Sequence, residues 1–162
     1  LRETETSGED LAGQEQVRVF ESVRAAAEFL RTTEGNILIT TGSKELKEYT
    51  KIGNYQERCF ARVLSTKAAV EESVRLGFEG KHLIAMQGPF SEEMNLALLH
   101  QTRARYFVTK ESGKAGGFEE KLKAAKKAGA VLIVIGRPQE RGRSVQEVCH
   151  FIESNFGKKE QE

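Results

Sequence analysis

A doubly wound α/β sandwich, in which a parallel five-stranded sheet carries helices on both faces, is the fold class the sequence predicts. Two observations carry the prediction. Five short apolar runs, at Ile37–Thr41, Cys59–Leu64, Leu83–Met86, Tyr106–Thr109 and Val131–Ile135, alternate with segments of helical spacing. The central runs are also continuously apolar, whereas a strand with one wet face would alternate, so they read as strands covered on both sides.

The elements follow in order. Leu1–Gln16 (LRETETSGEDLAGQEQ) is acidic and nearly free of large apolar residues. It cannot bury enough surface to offset its ordering entropy and reads as a disordered tail or interdomain linker. The ordered domain is expected over 17–156, with a charged tail at 157–162. Val17–Phe20 mixes apolar and charged residues and fits a short extended piece. Ser22 caps a helix with Val23, Ala26, Ala27 and Leu30 at helical spacing, and Gly35-Asn36 breaks it. A short helix is expected from Lys44 to Lys51. Thr66 precedes a helix carrying Ala69, Val70, Val74 and Leu76, which Gly77 ends. Ser91 looks like an N-cap, with Glu92 and Glu93 complementing the dipole of a helix that reaches Gln101. Phe118, Leu122 and Ala125 face inward from a helix over Gly117–Lys127, stopped by Gly129. A last helix near Ser144 would bury Val145, Val148, Phe151 and Ile152.

Composition excludes several classes. The 162 residues suffice for one domain with a real core, and 25 basic against 24 acidic side chains show none of the excess expected of a nucleic-acid binder. No apolar run approaches the ~20 residues that span a bilayer, and no basic-then-apolar leader opens the chain. A cytoplasmic protein without a membrane partner is expected. Cys59 and Cys149 lie outside any C-x-x-C spacing and read as buried, reduced thiols. His82, His100 and His150 are scattered, so no metal site is expected. No serine sits in a nucleophile-elbow pattern. The lysines at 121, 123, 126 and 127 read as a solvated helix face. Tyr49, Tyr55 and Tyr106 read as core or rim, and His100 as facing solvent or a helix dipole.

Chemistry in an open parallel sheet gathers beyond the carboxyl ends of the strands, at the switch point of strand order. The turns on that edge are Thr40-Thr41-Gly42-Ser43, Gln87-Gly88-Pro89-Phe90, Thr109-Lys110-Glu111-Ser112-Gly113 and Gly136-Arg137-Pro138. Hydroxyls, glycines and two cations, Lys110 and Arg137, would suit a ligand with phosphates and a ribose. Ordinary turn and cap chemistry explains the same residues equally well.

Taken in series, ILITTGSKEL, RCFARVL, MQGPFSEEMNLALL, YFVTKESGKAGGFEEKLKAA and VLIVIGRP resemble the C-terminal half of the precorrin-6A reductase (cobalt-precorrin-6A reductase) family, over about Phe20–Phe156. The resemblance implies a Rossmann-like domain and reduction of one double bond of a corrin-ring precursor by hydride from NADPH or NADH, in cobalamin biosynthesis. It implies a second, N-terminal Rossmann-like half absent from this chain, with the tetrapyrrole held between the halves and Leu1–Gln16 as the remnant of their connection. Carried across by motif, Thr40, Thr41, Gly42 and Ser43 line the cofactor or substrate cleft. Gly88, Pro89 and Phe90 form its floor, and Thr109, Lys110, Ser112 and Gly113 offer hydroxyl, cationic and backbone donors. Lys110, Arg137 and Lys44 are the cations for the substrate's carboxylates. Two alternatives stand beside this one: a non-catalytic nucleotide- or tetrapyrrole-binding module, and a uroporphyrinogen-III synthase-like enzyme that needs no nicotinamide. A response-regulator receiver domain also has five βα units, but its acidic cluster and phosphorylatable aspartate are replaced here by Thr40-Thr41 and Gln87-Gly88.

Overall fold

The structure, a computed structural model, describes residues 16–110 and 115–136. The strands are β1 (Val17–Phe20), β2 (Asn36–Ile39), β3 (Cys59–Val63), β4 (Leu83–Ala85), β5 (Ala104–Lys110) and β6 (Val131–Ile135). The helices are α1 (Val23–Leu30), α2 (Tyr55–Arg58), α3 (Lys67–Arg75), α4 (Glu92–Thr102) and α5 (Ala115–Ala128). All the pairings are parallel, and the sheet runs β1-β6-β5-β2-β3-β4.

Among the described residues the sheet has six strands, where the sequence predicts five. The extra one is β1, the segment read from sequence only as a short extended piece. Its residues pair in register with Leu132–Ile135 of β6. Gln16, assigned to the tail from sequence, already belongs to this edge: its carbonyl accepts from Leu132 N–H at 2.7 Å and its side-chain amide donates to Ala130 O at 3.1 Å.

Strict alternation along each strand sorts side chains onto two faces. Ile37, Ile39, Cys59, Ala61, Tyr106, Val108 and Ile133 pack with Val23, Ala26 and Leu30 of α1 and with Leu46, Tyr49 and Ile52. Leu38, Phe60, Phe107, Leu132 and Val134 pack on the opposite side against Leu99 of α4 and Leu122, Ala124 and Ala125 of α5. Helices thus cover both faces, as the continuous apolar runs require.

The helix starts follow the sequence signals. Hydroxyls of Ser22, Thr66 and Ser91 accept from the backbone N–H groups of Ala25, Ala69 and Met94. Two local readings change. The segment after β2 is a 3-10 helix over Leu46–Lys51, so no α-helix N-terminus follows the Thr41-Gly42-Ser43 turn. In α3 the inward residues are Ala69 and Ser73, while Val74 is 42% exposed. Ser73 sits inside because its hydroxyl donates to Ala69 O at 2.7 Å, which satisfies the group without a partner from another element. The expected last helix from Ser144, the tail at 157–162, Cys149 and His150 lie outside the described residues, as does all of the expected linker but Gln16.

Candidate functional site at the switch point of the sheet

From the central β2 the chain moves outward to β3 and β4, then returns through α4 to β5 on the other flank of β2. The direction of winding reverses between β2 and β5, which opens a crevice above their carboxyl ends. The Thr40–Ser43 turn stands at that crevice, and Lys110 ends the neighbouring strand.

Most side chains of the turn are engaged in holding it. Thr40 extends the β2–β5 ladder, since both its N–H (2.9 Å) and its hydroxyl (2.6 Å) donate to Val108 O. Thr41 is buried, and its hydroxyl lies 2.9 Å from the hydroxyl of the fully buried Tyr49. Gly42 adopts φ +93° with no atom within 4 Å of where a Cβ would stand. The chain thus presents bare backbone to open space at the switch point, in a conformation that L side chains resist. Ser43 is half-buried and Lys44 exposed beside it. Lys110 Nζ pairs with Glu45 Oε1 at 2.6 Å, with both side chains about half exposed and the Glu45 Oε1 atom itself buried.

A second polar group lies on the α4–α5 side of the same edge. Thr40, Arg62 and Thr109 each stand one residue beyond the aligned Ile39, Ala61 and Val108, so three adjacent strands present them at one level. Arg62 is 5% exposed, and its Nη1 donates to Asn95 Oδ1 of α4 at 2.7 Å. The Phe90 ring covers the guanidinium, 3.6 Å from Cζ to the ring centroid. Gly88 makes room for that ring, since a Cβ there would meet Phe90 Cε2 at 3.2 Å. Lys121 of α5 donates from Nζ to Thr109 Oγ1 at 2.7 Å.

Burial pushes the Arg62 guanidinium down to about 10, so it remains charged at neutral pH. Burial also lowers the Lys121 ammonium, with the Arg62 charge as a second cause. Desolvating Arg62 by that much corresponds to a cost on the order of 3 kcal/mol at neutral pH. Nearby, Gln87 Oε1 accepts from Ser65 N–H and Oγ, tying the β3 and β4 turns together.

Several sequence-level readings change in this light. Lys121 is half-buried and hydrogen-bonded, so it does not belong to the solvated lysine face; Lys123, Lys126 and Lys127 are exposed. The Phe90 ring, expected to floor the cleft, lies against the Arg62 guanidinium. Glu92 adds a 2.5 Å ion pair to Lys127 that joins α4 to α5. Ser112, Gly113, Arg137 and Pro138 lie outside the described residues. Arg62 and Asn95 were missed as site residues. The available signals were a cation inside the apolar run CFARVL and an asparagine at position i of the buried Asn95-Leu99-Thr102 stripe of α4.

Among the described residues no helix is long and apolar enough to cross a membrane. No group of His, Cys, Asp and Glu among them could hold a metal ion. Cys59 is buried as a free thiol, pushed up to about 12 by that burial.

The family model of precorrin-6x reductase CbiJ/CobK matches residues 2–153. A cobalt-precorrin-6A reductase of Priestia megaterium is 39% identical over 133 residues, covering 78% of this chain and 52% of that protein. One from Methanothermobacter thermautotrophicus is 48% identical over 83 residues (51% and 28% of the two chains), and one from Salmonella typhimurium is 38% identical over 117 residues (72% and 44%). A solved CobK precorrin-6A reductase shares the fold at a TM-score of 0.58 and 22% identity, over 75% of this chain and 47% of that one. The chain therefore spans about half the length of the reductases it resembles. A match that runs through every strand of the sheet and both walls of the crevice decides the affiliation: the chain belongs to the precorrin-6x reductase family.

Proposed function

We propose that this chain is the C-terminal half of a cytoplasmic reductase that uses NADPH or NADH to reduce precorrin-6A or cobalt-precorrin-6A in cobalamin biosynthesis. Membership of the family over residues 2–153 is the observation that carries the reading. The crevice suits the role physically. Gly42 leaves backbone open to close approach by a phosphate, and cations flank the crevice: Lys44 beside the turn, Lys110 at the end of β5, and Arg62 and Lys121 on the α4–α5 side. The nicotinamide, when bound, supplies the hydride. The protein's part is to position both ligands and to hold their anionic groups. Thr40 and Thr41 shape the turn, Ser43 and the Gly42 backbone contact the cofactor, and Gly88, Pro89 and Phe90 wall the pocket with Thr109. Ser112 and Gly113 complete it, and Lys110, Arg137 and Lys44 receive the substrate's carboxylates.

The test is titration of the chain, and of the full-length protein, with NADPH and NADH, followed by nicotinamide fluorescence and calorimetry. Saturable binding that Gly42→Asp abolishes supports the reading. Absence of binding to the full-length protein overturns it. A second reading has one specific observation behind it, the coverage of about half of each relative. On that reading this chain alone is a binding module, catalytic only beside another Rossmann-like half. Binding without turnover by the chain, and turnover by the full-length protein, would establish it.

A further inference from the structure

The Arg62 cluster holds two cations with no carboxylate partner among the described residues. Arg62 is 5% exposed, and its hydrogen-bond partner there is the neutral Asn95. Lys121 is half-buried, and its partner is the neutral Thr109 hydroxyl. The two charges are close enough that Arg62 disfavours protonation of Lys121. Burying like charges together without a counter-charge is costly, and natural interiors pair or neutralise such groups.

Asn95 supplies an independent observation. It is 0% exposed, and its Nδ2 has no hydrogen-bond partner among the described residues. The amide orientation is not free to invert, because Arg62 can only donate and must therefore face the carbonyl oxygen. Nδ2 is left as a buried, unused donor beside a buried cation. A guanidinium, an ammonium and an amide N–H, all donors and none an acceptor, stand near the carboxyl edge where Thr40, Arg62 and Thr109 are level.

We propose that Arg62, Asn95 Nδ2 and Lys121 form an anion subsite that takes an oxyanion of the bound ligand, a phosphate or a carboxylate. This rests on the reductase reading for the identity of the ligand, whose dinucleotide phosphates and macrocycle carboxylates are the two sources. The anion takes the place that the Phe90 ring now covers over the guanidinium.

The experiment is thermal unfolding of the chain at matched ionic strength in chloride, inorganic pyrophosphate or the polycarboxylate uroporphyrin, repeated on Lys121→Met and Asn95→Asp. Pyrophosphate or uroporphyrin should raise Tm above chloride, and Lys121→Met should weaken the apparent affinity roughly tenfold, as for one lost charge-assisted bond. Asn95→Asp builds the missing anion into the fold. It should raise Tm in chloride and abolish the response to added anions. A response to pyrophosphate alone assigns the subsite to the cofactor, and one to uroporphyrin alone assigns it to the substrate. No anion response by the parent chain, or a lower Tm for Asn95→Asp in chloride, overturns the proposal and leaves the cluster as internal packing. Turnover of the full-length protein is read separately. An active reductase without an anion response sinks the subsite alone, and an anion response without reductase activity sinks the functional reading alone.

Discussion

Replacing Thr41 by valine separates the two things its hydroxyl could do at the crevice. The change keeps the side-chain shape and removes the partner of the Tyr49 hydroxyl, which is fully buried and lies 2.9 Å away. An unpartnered buried hydroxyl costs about 1–3 kcal/mol. Tyr49→Phe should cost a similar amount by leaving Thr41 unpaired. The double variant removes both polar groups together and should lose clearly less than the sum of the two. A loss of ~2 kcal/mol lowers Tm by about 4–8 °C in a chain of this size. Urea unfolding of the parent, both single variants and the double variant gives the cycle directly. Nicotinamide titration of the same four proteins adds the functional reading. If the hydroxyl only holds the turn, Thr41→Val and Tyr49→Phe shift the NADPH dissociation constant equally. Additive stability losses would refute the buried pair. Weaker NADPH binding in Thr41→Val but not in Tyr49→Phe would show that the hydroxyl reaches the ligand.

Other perturbations have equally definite outcomes. Lys110→Ala removes an exposed pair with Glu45, so its stability should change by less than ~1 kcal/mol, while NADPH or tetrapyrrole binding weakens by roughly 1–3 kcal/mol; unchanged dissociation constants for both ligands would remove Lys110 from the site. Gly77→Ala forces an L side chain to φ +101° and puts its Cβ 2.7 Å from the Tyr55 hydroxyl, which donates to Leu76 O. About 2–4 kcal/mol should be lost in denaturant unfolding, and a loss under ~0.5 kcal/mol would contradict the clash. Burial, with Lys81 as a second cause, holds the His82 imidazole below its usual 6.5, so the folded state favours the neutral ring. That contribution is fully present above 6.5 and is lost as pH falls through the folded value, because the unfolded chain takes up the proton first. Urea midpoints should therefore drop between pH 7.5 and 5.5, and His82→Gln should flatten the drop; identical slopes would discount His82.

Much of the molecule was legible in the chain because the relevant interactions are local. Ser22, Thr66 and Ser91 each cap the helix they precede, and Gly77 and Gly129, both at positive φ, stand just past the ends of α3 and α5. The apolar runs at 37–41 and 131–135 read as strands buried on both faces, and with the helical segments between the runs they point to the α/β class. The motif series also pointed to the family that the comparisons then returned. The turns at Thr40–Ser43 and Gln87–Phe90 were legible because each comes just after a strand.

What tertiary structure decided depends on partners far apart in sequence. Strand order, and with it the reversal between β2 and β5 that locates the crevice, comes from pairing Ile39 with both Ala61 and Val108. No periodicity reports such a choice. The short VRVF segment becomes a strand only because β6 offers an edge to pair with. Val74 follows helical spacing yet faces solvent, because Ala69 and Ser73 are what α3 turns inward. Arg62 reads in the chain as an interruption of an apolar strand. It becomes a buried cation only when α4 sets Asn95 against it from 33 residues away and α5 brings Lys121 to the same edge. Local sequence sets which segments are helix or strand through backbone and capping energetics. Which charges end up desolvated together is set by packing across the sheet, and there the candidate chemistry of this chain was hidden.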